Sequence, residues 1–123
     1  MGLFSGMIGN VSEMSIDEIS REFGELLGEN EAIEAGYKLI RDVMIFTSKR
    51  IIFVDKQGIT AKKIEYMSIP YKSIERFSVE TAGHFDLDAE LKIWVRGMTT
   101  PIEQKFNTKV NIYEVQGIIA KYL

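Results

Sequence analysis

The stretch Val43-Met-Ile-Phe-Thr-Ser-Lys-Arg-Ile-Ile-Phe-Val54 decides the fold. Its two arms, residues 43–46 and 51–54, are apolar on both faces of an extended chain, which predicts two buried strands. The polar Thr47-Ser-Lys-Arg50 between them predicts a tight hairpin turn. Because a strand at an ordinary protein surface alternates apolar and polar residues, these two strands need an additional element or a partner to cover them.

Five more strands are predicted around this hairpin. Apolar residues alternate from Ile33 to Leu39, and a strand over 62–69 ends at Pro70. A strand over 73–80 follows, and residues 87–96 give the clearest alternation in the chain. A short seventh strand covers 102–106. The order is therefore a series of seven strands, which is typical of a small barrel or a strongly bent sheet.

A helix is predicted at each end of the strand series. Ser15 and Glu18 form a capping box before one apolar stripe, and Gly28 ends that helix. Asn111 caps the last helix, which we expect to close an open end of the barrel. The predicted organisation is a flexible apolar segment over 1–13, a helix over 14–28 and one domain over 29–123. The two apolar stripes are Ile16, Ile19, Phe23, Leu26 and Leu27, and Ile112, Val115, Ile118, Ile119 and Tyr122.

Composition narrows the classes of function. The net charge of −3, from 15 basic and 18 acidic residues, disfavours nucleic-acid binding, which usually needs a basic excess. The chain has no cysteine, which excludes disulfides and thiolate metal sites and favours a cytoplasmic location. No stretch reaches the roughly 18 apolar residues of a membrane span. We therefore expect a cytoplasmic protein without a cofactor.

Catalytic and metal-binding patterns are weak. Asp86, Asp88 and Glu90 form the one acidic cluster, but alternation with Lys92 favours a solvated strand face over a metal site. His84 is the only histidine, and no positioned nucleophile accompanies it. The sequence predicts neither an enzyme nor a metal site.

Seven strands followed by one helix is the pleckstrin-homology arrangement, and several segments support a narrower resemblance. The chain resembles a bacterial pleckstrin-homology family from about Glu25 to the C-terminus. The resemblance implies two bent antiparallel sheets, a tendency to form ring-shaped homo-oligomers, and no enzyme activity. The segments that carry it are Tyr37-Lys-Leu-Ile-Arg-Asp42, Phe46-Thr-Ser-Lys-Arg50, Val54-Asp-Lys-Gln-Gly58, Glu65-Tyr66, Ser68-Ile-Pro-Tyr71, Phe77-Ser-Val-Glu-Thr-Ala-Gly83 and Phe85-Asp-Leu-Asp-Ala-Glu-Leu-Lys-Ile-Trp94.

The predicted function is a binding and assembly module whose main partner is a second copy of itself. Incompletely closed barrels leave strand edges with unpaired backbone groups, and a head-to-tail contact that closes into a ring removes them. The candidate interface residues are Ile40, Met44, Phe46 and Trp94.

The alternative function is binding to an anionic lipid or membrane surface. Its candidate contacts are Lys49, Arg50, Lys62 and Lys63. Only Lys38 and Arg41 lie where lipid-binding pleckstrin-homology domains resemble one another in a basic loop, so we expect weak membrane binding or none.

Overall fold

The computed structural model describes residues 12–39, 42–57, 63–81, 89–107 and 110–123. These residues contain eight strands and two α-helices. The strands form one five-stranded and one three-stranded sheet. The chain divides into two compact units, Met1–Ser68 and Ile69–Leu123.

The first unit holds the five-stranded sheet, in which each strand lies beside the next one in the chain. The order is β1-β2-β3-β4-β5, and the pairings that join β1 to β4 are antiparallel. A bulge between Ile33 and Ala35 shifts the register of β2 against β3. The elements are β1 (Ser12–Met14), α1 (Ile16–Phe23), a 3-10 turn (Gly24–Leu26), β2 (Ile33–Lys38), β3 (Val43–Thr47), β4 (Arg50–Gln57) and β5 (Lys63–Pro70), whose last two residues belong to the second unit.

Helix α1 begins with the predicted capping box. Ser15 Oγ accepts a hydrogen bond from the Glu18 backbone N–H at 3.1 Å, and Glu18 Oε1 accepts one from the Ser15 N–H at 3.3 Å. The two apolar residues on its inner side, Ile19 and Phe23, join a buried cluster on the sheet. The other buried members of this cluster are Met14, Val43, Ile45, Ile52 and Val54.

Gly36 on β2 lets α1 approach the sheet closely. A Cβ atom at this position would lie 3.0 Å from Ile19 Cγ1 and nearer still to Cδ1. Since real Cβ contacts are not that short, any larger residue would push Ile19 away. Helix position and strand sequence therefore depend on each other at this point.

Strand β3 is buried on both faces, as its sequence predicted. Val43 and Ile45 face the cluster beneath α1. Met44 and Phe46 alternate with them and are each 0 % exposed, and Phe46 makes an edge-to-face contact with Tyr37, with ring centroids 5.9 Å apart. The N-terminal helix thus supplies part of the cover that the two-faced apolar pattern requires.

The second unit contains the three-stranded sheet and the C-terminal helix. Its strands are β6 (Ile74–Glu80), β7 (Ala89–Val95) and β8 (Ile102–Phe106), antiparallel in the order β6-β7-β8. Helix α2 (Ile112–Tyr122) begins at Asn111, whose side chain accepts from the Tyr113 N–H, and it lies against β7. Tyr122 at its end stacks on Tyr71 with ring centroids 5.1 Å apart. Ile112, Val115 and Ile119 are buried, as the apolar stripe predicted.

The predicted mainly β class, with two antiparallel sheets and a helix at each end, is confirmed. Two details differ from the prediction. Ser12 and Glu13, expected in a flexible segment, belong to β1, which pairs with β2 and makes eight described strands instead of seven. The first α-helix runs from Ile16 to Phe23 and a 3-10 turn follows, so of the predicted helix over 14–28 neither Met14, which belongs to β1, nor Gly28 is helical. Gly28 instead donates its N–H to Glu31 Oε1 at 2.8 Å.

Candidate assembly surface

Arg50 at the start of β4 is the centre of a polar cluster between the end of the 3-10 turn and β5. Its Nε and Nη2 atoms donate to the two carboxylate oxygens of Glu31 at 2.8 and 3.0 Å, which is a bidentate ion pair. Nη2 also donates to the Leu26 carbonyl at 2.6 Å, and Nη1 donates to Ser68 Oγ at 2.7 Å. One guanidinium thus holds three separate segments of the first unit.

Glu31 is the buried member of this ion pair. Its side chain is 2 % exposed, whereas that of Arg50 is 25 % exposed. Hydrogen bonds from Arg50 lower the pKa of Glu31 to about 2, against the opposing effect of burial; the Gly28 N–H and the Thr47 hydroxyl lower it further. The same bond to Glu31 raises the pKa of Arg50. Both groups are therefore charged across the physiological range.

Thr47 shapes the turn that brings Arg50 into position. It is 0 % exposed, and its Oγ1 donates to Glu31 at 2.6 Å. The same oxygen accepts from the backbone N–H groups of Lys49 and Arg50 at 3.1 and 3.0 Å. The predicted turn is confirmed, and the side chains of Thr47 and Arg50 form hydrogen bonds within the first unit.

The outermost strand β5 carries a very different surface. Its residues from Lys63 to Ser68 are all exposed, although three of them are large and apolar: Ile64 at 41 %, Tyr66 at 46 % and Met67 at 38 %. Within the part of the chain that the structure describes, β5 has β4 as a neighbour on one side and no strand on the other. We call Lys63, Ile64, Glu65, Tyr66 and Met67 the β5 surface.

Alternation assigns the two faces of the β5 surface. Ser68 faces Arg50, which lies on the same side of the sheet as α1. Ile64 and Tyr66 share the parity of Ser68 and therefore lie on the α1 side, whereas Met67 lies on the opposite side. Among the described strands β5 is the outermost of its sheet, and its surface combines this outer backbone edge with apolar side chains on both faces, which is the form that strand addition recognises.

The structure moves two predicted interface residues into the interior. Met44 and Phe46 are each 0 % exposed in the single chain, so neither can contact a second subunit from the folded sheet. This corrects the expectation that they lie on an open face, since the sequence alone does not show which apolar strand faces are covered. Trp94 is partly buried on β7 beneath Arg76, whose guanidinium carbon is 4.4 Å from the ring centroid, and Ile40 lies outside the described residues.

The predicted lipid contacts do not form a basic patch in the described structure. Arg50 is committed to Glu31, Leu26 and Ser68, and Lys49 Nζ donates to the Glu29 carbonyl at 3.2 Å. Lys63 is exposed on β5, while Lys62 is outside the described residues.

The candidate interface residues predicted from the sequence do not include Ile64 and Tyr66, which are exposed on β5. The signal that could have found them is the alternation of charged and apolar residues in Lys63-Ile-Glu-Tyr66, because charged residues are typical of outer strands.

The described residues show no metal site or membrane span. They contain no cluster of three or more His, Asp or Glu side chains that could hold a metal ion. Glu90, one member of the predicted acidic cluster, lies 3.9 Å from Lys92, whereas His84, Asp86 and Asp88 are outside the described residues. Neither described helix has the length and apolar character needed to cross a membrane.

Comparison with known proteins agrees with this architecture. The chain is 52 % identical to the protein YjqA of Bacillus subtilis (strain 168) over 121 residues, covering 98 % of this chain and 97 % of that protein. A crystal structure of a DUF1696 family protein with a pleckstrin-homology domain from Shewanella loihica PV-4 is similar with a TM-score of 0.85 and 44 % identity, over 92 % of this chain and 97 % of that one.

A second crystal structure, of a pleckstrin homology domain from Shewanella amazonensis SB2B, is similar with a TM-score of 0.74 and 44 % identity. It covers 98 % of this chain and 97 % of its own. The family model for the bacterial PH domain matches residues 2–123. The chain, with its two antiparallel sheets and C-terminal helix, therefore belongs to the bacterial PH domain family.

Proposed function

We propose that this PH domain is a non-enzymatic assembly module that forms a closed homo-oligomer through the β5 surface. The observation that carries the proposal is the clustering of exposed apolar side chains on one outer strand. Of the seven large apolar side chains exposed in the described residues, Ile64, Tyr66 and Met67 lie within four positions of one another. Grouped apolar exposure of this kind marks an interaction site, whereas scattered single residues do not.

A ring is the assembly that suits this surface. The β5 edge of one copy meets a different surface of the next copy, which is a head-to-tail contact. Such contacts either close into a ring or continue into open fibres, and closure keeps every edge occupied. The ring-shaped homo-oligomers that the family resemblance implies support the same choice, and the cytoplasmic location predicted from the sequence stays part of this proposal.

Anionic-lipid binding has less support than assembly. Of its four candidate contacts, Arg50 is held in the cluster around Glu31 and Lys49 bonds to a backbone carbonyl. Charge-driven binding to lipid would weaken as salt is raised, whereas an apolar subunit contact would persist.

Light scattering coupled to size-exclusion chromatography tests the assembly. We expect the wild-type chain to have the mass of a multimer at micromolar concentration, and Tyr66→Glu to lower that mass by placing a charge in the contact. Tyr113→Glu is the matched control, because Tyr113 is 66 % exposed on α2 and lies outside the β5 surface. A monomeric wild-type mass would refute the proposal, as would equal effects of the two substitutions.

A further inference from the structure

Strand β8 has a charge pattern that complements itself. It reads Ile102-Glu-Gln-Lys-Phe106, so an acidic and a basic residue flank a central amide, and an apolar residue stands at each end. Glu103 and Lys105 are exposed, whereas Ile102 and Gln104 are partly buried and Phe106 is buried. Reversing the direction of the strand exchanges the two charges and leaves the rest of the pattern unchanged in character.

Strand β8 is an outer strand of its own sheet. It is the last strand in the order β6-β7-β8, so among the described strands only β7 adjoins it. An exposed outer strand offers a row of backbone donors and acceptors to another strand. A two-fold axis perpendicular to the sheet would place β8 antiparallel to β8 of a second copy, with each face of the sheet continuous across the contact.

The register with Gln104 opposite Gln104 of the second copy satisfies both charges. Glu103 then lies opposite Lys105 of the second copy, and Lys105 lies opposite its Glu103. On the other face, Ile102 comes opposite Phe106. A parallel pairing in register would instead place Glu103 opposite Glu103, so charge selects the antiparallel arrangement.

Opposite charges also face each other between β8 and the neighbouring strand β7. Lys92 lies opposite Glu103 and Glu90 lies opposite Lys105 in the β7–β8 register. A row across the joined sheets would therefore run Lys92, Glu103, then Lys105 and Glu90 of the second copy. Signs alternate at each step, and every cross-strand neighbour is an opposite charge.

In the single chain, the side-chain amide of Gln104 bonds within its own strand. Its Nε2 donates to the carbonyl of its own neighbour Lys105 at 3.0 Å. In the paired sheet this local bond gives way to an amide contact across the two-fold axis. We propose that β8 is a second assembly surface, through which two copies of this chain pair antiparallel about Gln104, independently of the β5 surface.

Charge reversal and mixing test the pairing in a chain that carries Tyr66→Glu, which disables the β5 surface. This chain is expected to have the mass of a dimer. Adding Glu103→Lys makes the β8 charges both basic, and adding Lys105→Glu makes them both acidic. Each variant alone should then show the mass of a monomer, because like charges face each other. An equimolar mixture should return to a two-fold larger mass, because every pair becomes opposite again.

A matched control and a folding check accompany the mixture. Glu75→Lys, on the exposed part of β6, should leave the dimer intact. Thermal unfolding shows whether each variant is folded, and rescue on mixing separates a lost contact from a misfolded chain. A monomeric Tyr66→Glu chain would overturn the inference, with Lys105 then acting to keep the edge unpaired. Unchanged mass in the single charge variants, or no rescue in the mixture, would overturn it too.

The outcomes for the two surfaces are distinguishable. If Tyr66→Glu leaves the wild-type mass unchanged and that mass is a dimer, the β5 proposal fails, and loss of the dimer in Glu103→Lys still supports the β8 contact. If Tyr66→Glu reduces a larger assembly directly to monomers, the β5 proposal stands and the β8 contact fails.

Discussion

Strands β3 and β5 belong to the same sheet and are both rich in large apolar residues, yet they meet opposite environments. All five residues of β3 are buried, whereas the six residues from Lys63 to Ser68 of β5 are all exposed. The difference follows from place in the sheet: β3 has a strand on each side and α1 over one face, whereas no described residue of β5 belongs to the buried cluster beneath that helix. Apolar content alone therefore does not decide whether a strand is core or surface.

Arg50 stands at the boundary between the covered and the open part of the sheet. It bonds to the segment that follows α1 through Leu26 and to β5 through Ser68. The helix-covered region thus ends in a polar cluster, and the apolar residues beyond it face solvent.

Truncating one aromatic residue on each strand should give the largest difference in stability between β3 and β5. Phe46→Ala on β3 should lower the free energy of unfolding by about 3–5 kcal/mol, because it leaves a cavity in a fully buried site. Tyr66→Ala on β5 should cost about 0.5 kcal/mol or less. Urea denaturation at low protein concentration, where assembly adds little, measures both. Equal costs would mean that the two strands are not core and surface.

Acid should weaken the ion pair between Glu31 and Arg50 before it affects the apolar core. The pKa of Glu31 falls from 4.5 to about 2 in the folded chain, which corresponds to about 3 kcal/mol of stabilisation. Because the folded-state pKa is the lower one, this stabilisation is present above about pH 4.5 and is lost as the pH falls towards 2. Unfolding of wild type and Glu31→Gln between pH 7 and 2 should therefore converge at acid pH, and a constant difference would contradict the assignment.

A methyl group beneath α1 should weaken the cover over the sheet. Gly36→Ala is expected to cost about 1–3 kcal/mol, because the new Cβ meets Ile19. Ile19→Val removes the nearest atom, so the double variant should recover part of the loss, and a double-mutant cycle from denaturation curves gives the coupling. Strictly additive effects would show that the two residues do not touch.

A smaller loss of stability than at Gly36 is expected where β5 meets Arg50. Ser68→Ala removes one hydrogen bond at an exposed site, which should cost about 0.5–1 kcal/mol in thermal or urea unfolding. Ser78→Ala, on exposed β6, is the matched control and should cost less. A cost of several kcal/mol at Ser68 would mean that β5 is held mainly through this contact.

Local patterns in the sequence predicted the elements well and their environments only in part. The capping box at Ser15, the turn at Thr47 and the cap at Asn111 depend on neighbouring residues, and all three are confirmed. The burial of Phe46 and the internal role of Arg50 depend on residues far along the chain, such as Tyr37 and Glu31. The apolar pattern of a single strand does not show which of its faces another part of the chain covers.

Contacts at a distance also explain the errors in element boundaries. Strand β4 continues through Asp55 to Gln57, beyond the predicted strand arm over 51–54. Lys56 is held there by its N–H bond to Asp42 Oδ1 at 3.2 Å and by an ion pair with Glu22 at 3.6 Å. Similarly, β1 is defined by the pairing of Ser12 to Met14 with β2, and a segment of only three residues is too short to show a strand pattern in the sequence.

The outer position of β5 in its sheet also determines how fast its backbone amide hydrogens exchange with solvent. Amide hydrogens of β3, bonded to strands on both sides and buried on both faces, should exchange with deuterium only when the unit unfolds as a whole. Amides of β5 that point away from β4 should exchange within the dead time of the experiment in a single chain. In an assembled ring the same amides would slow, so their exchange rate reports occupancy of the edge residue by residue.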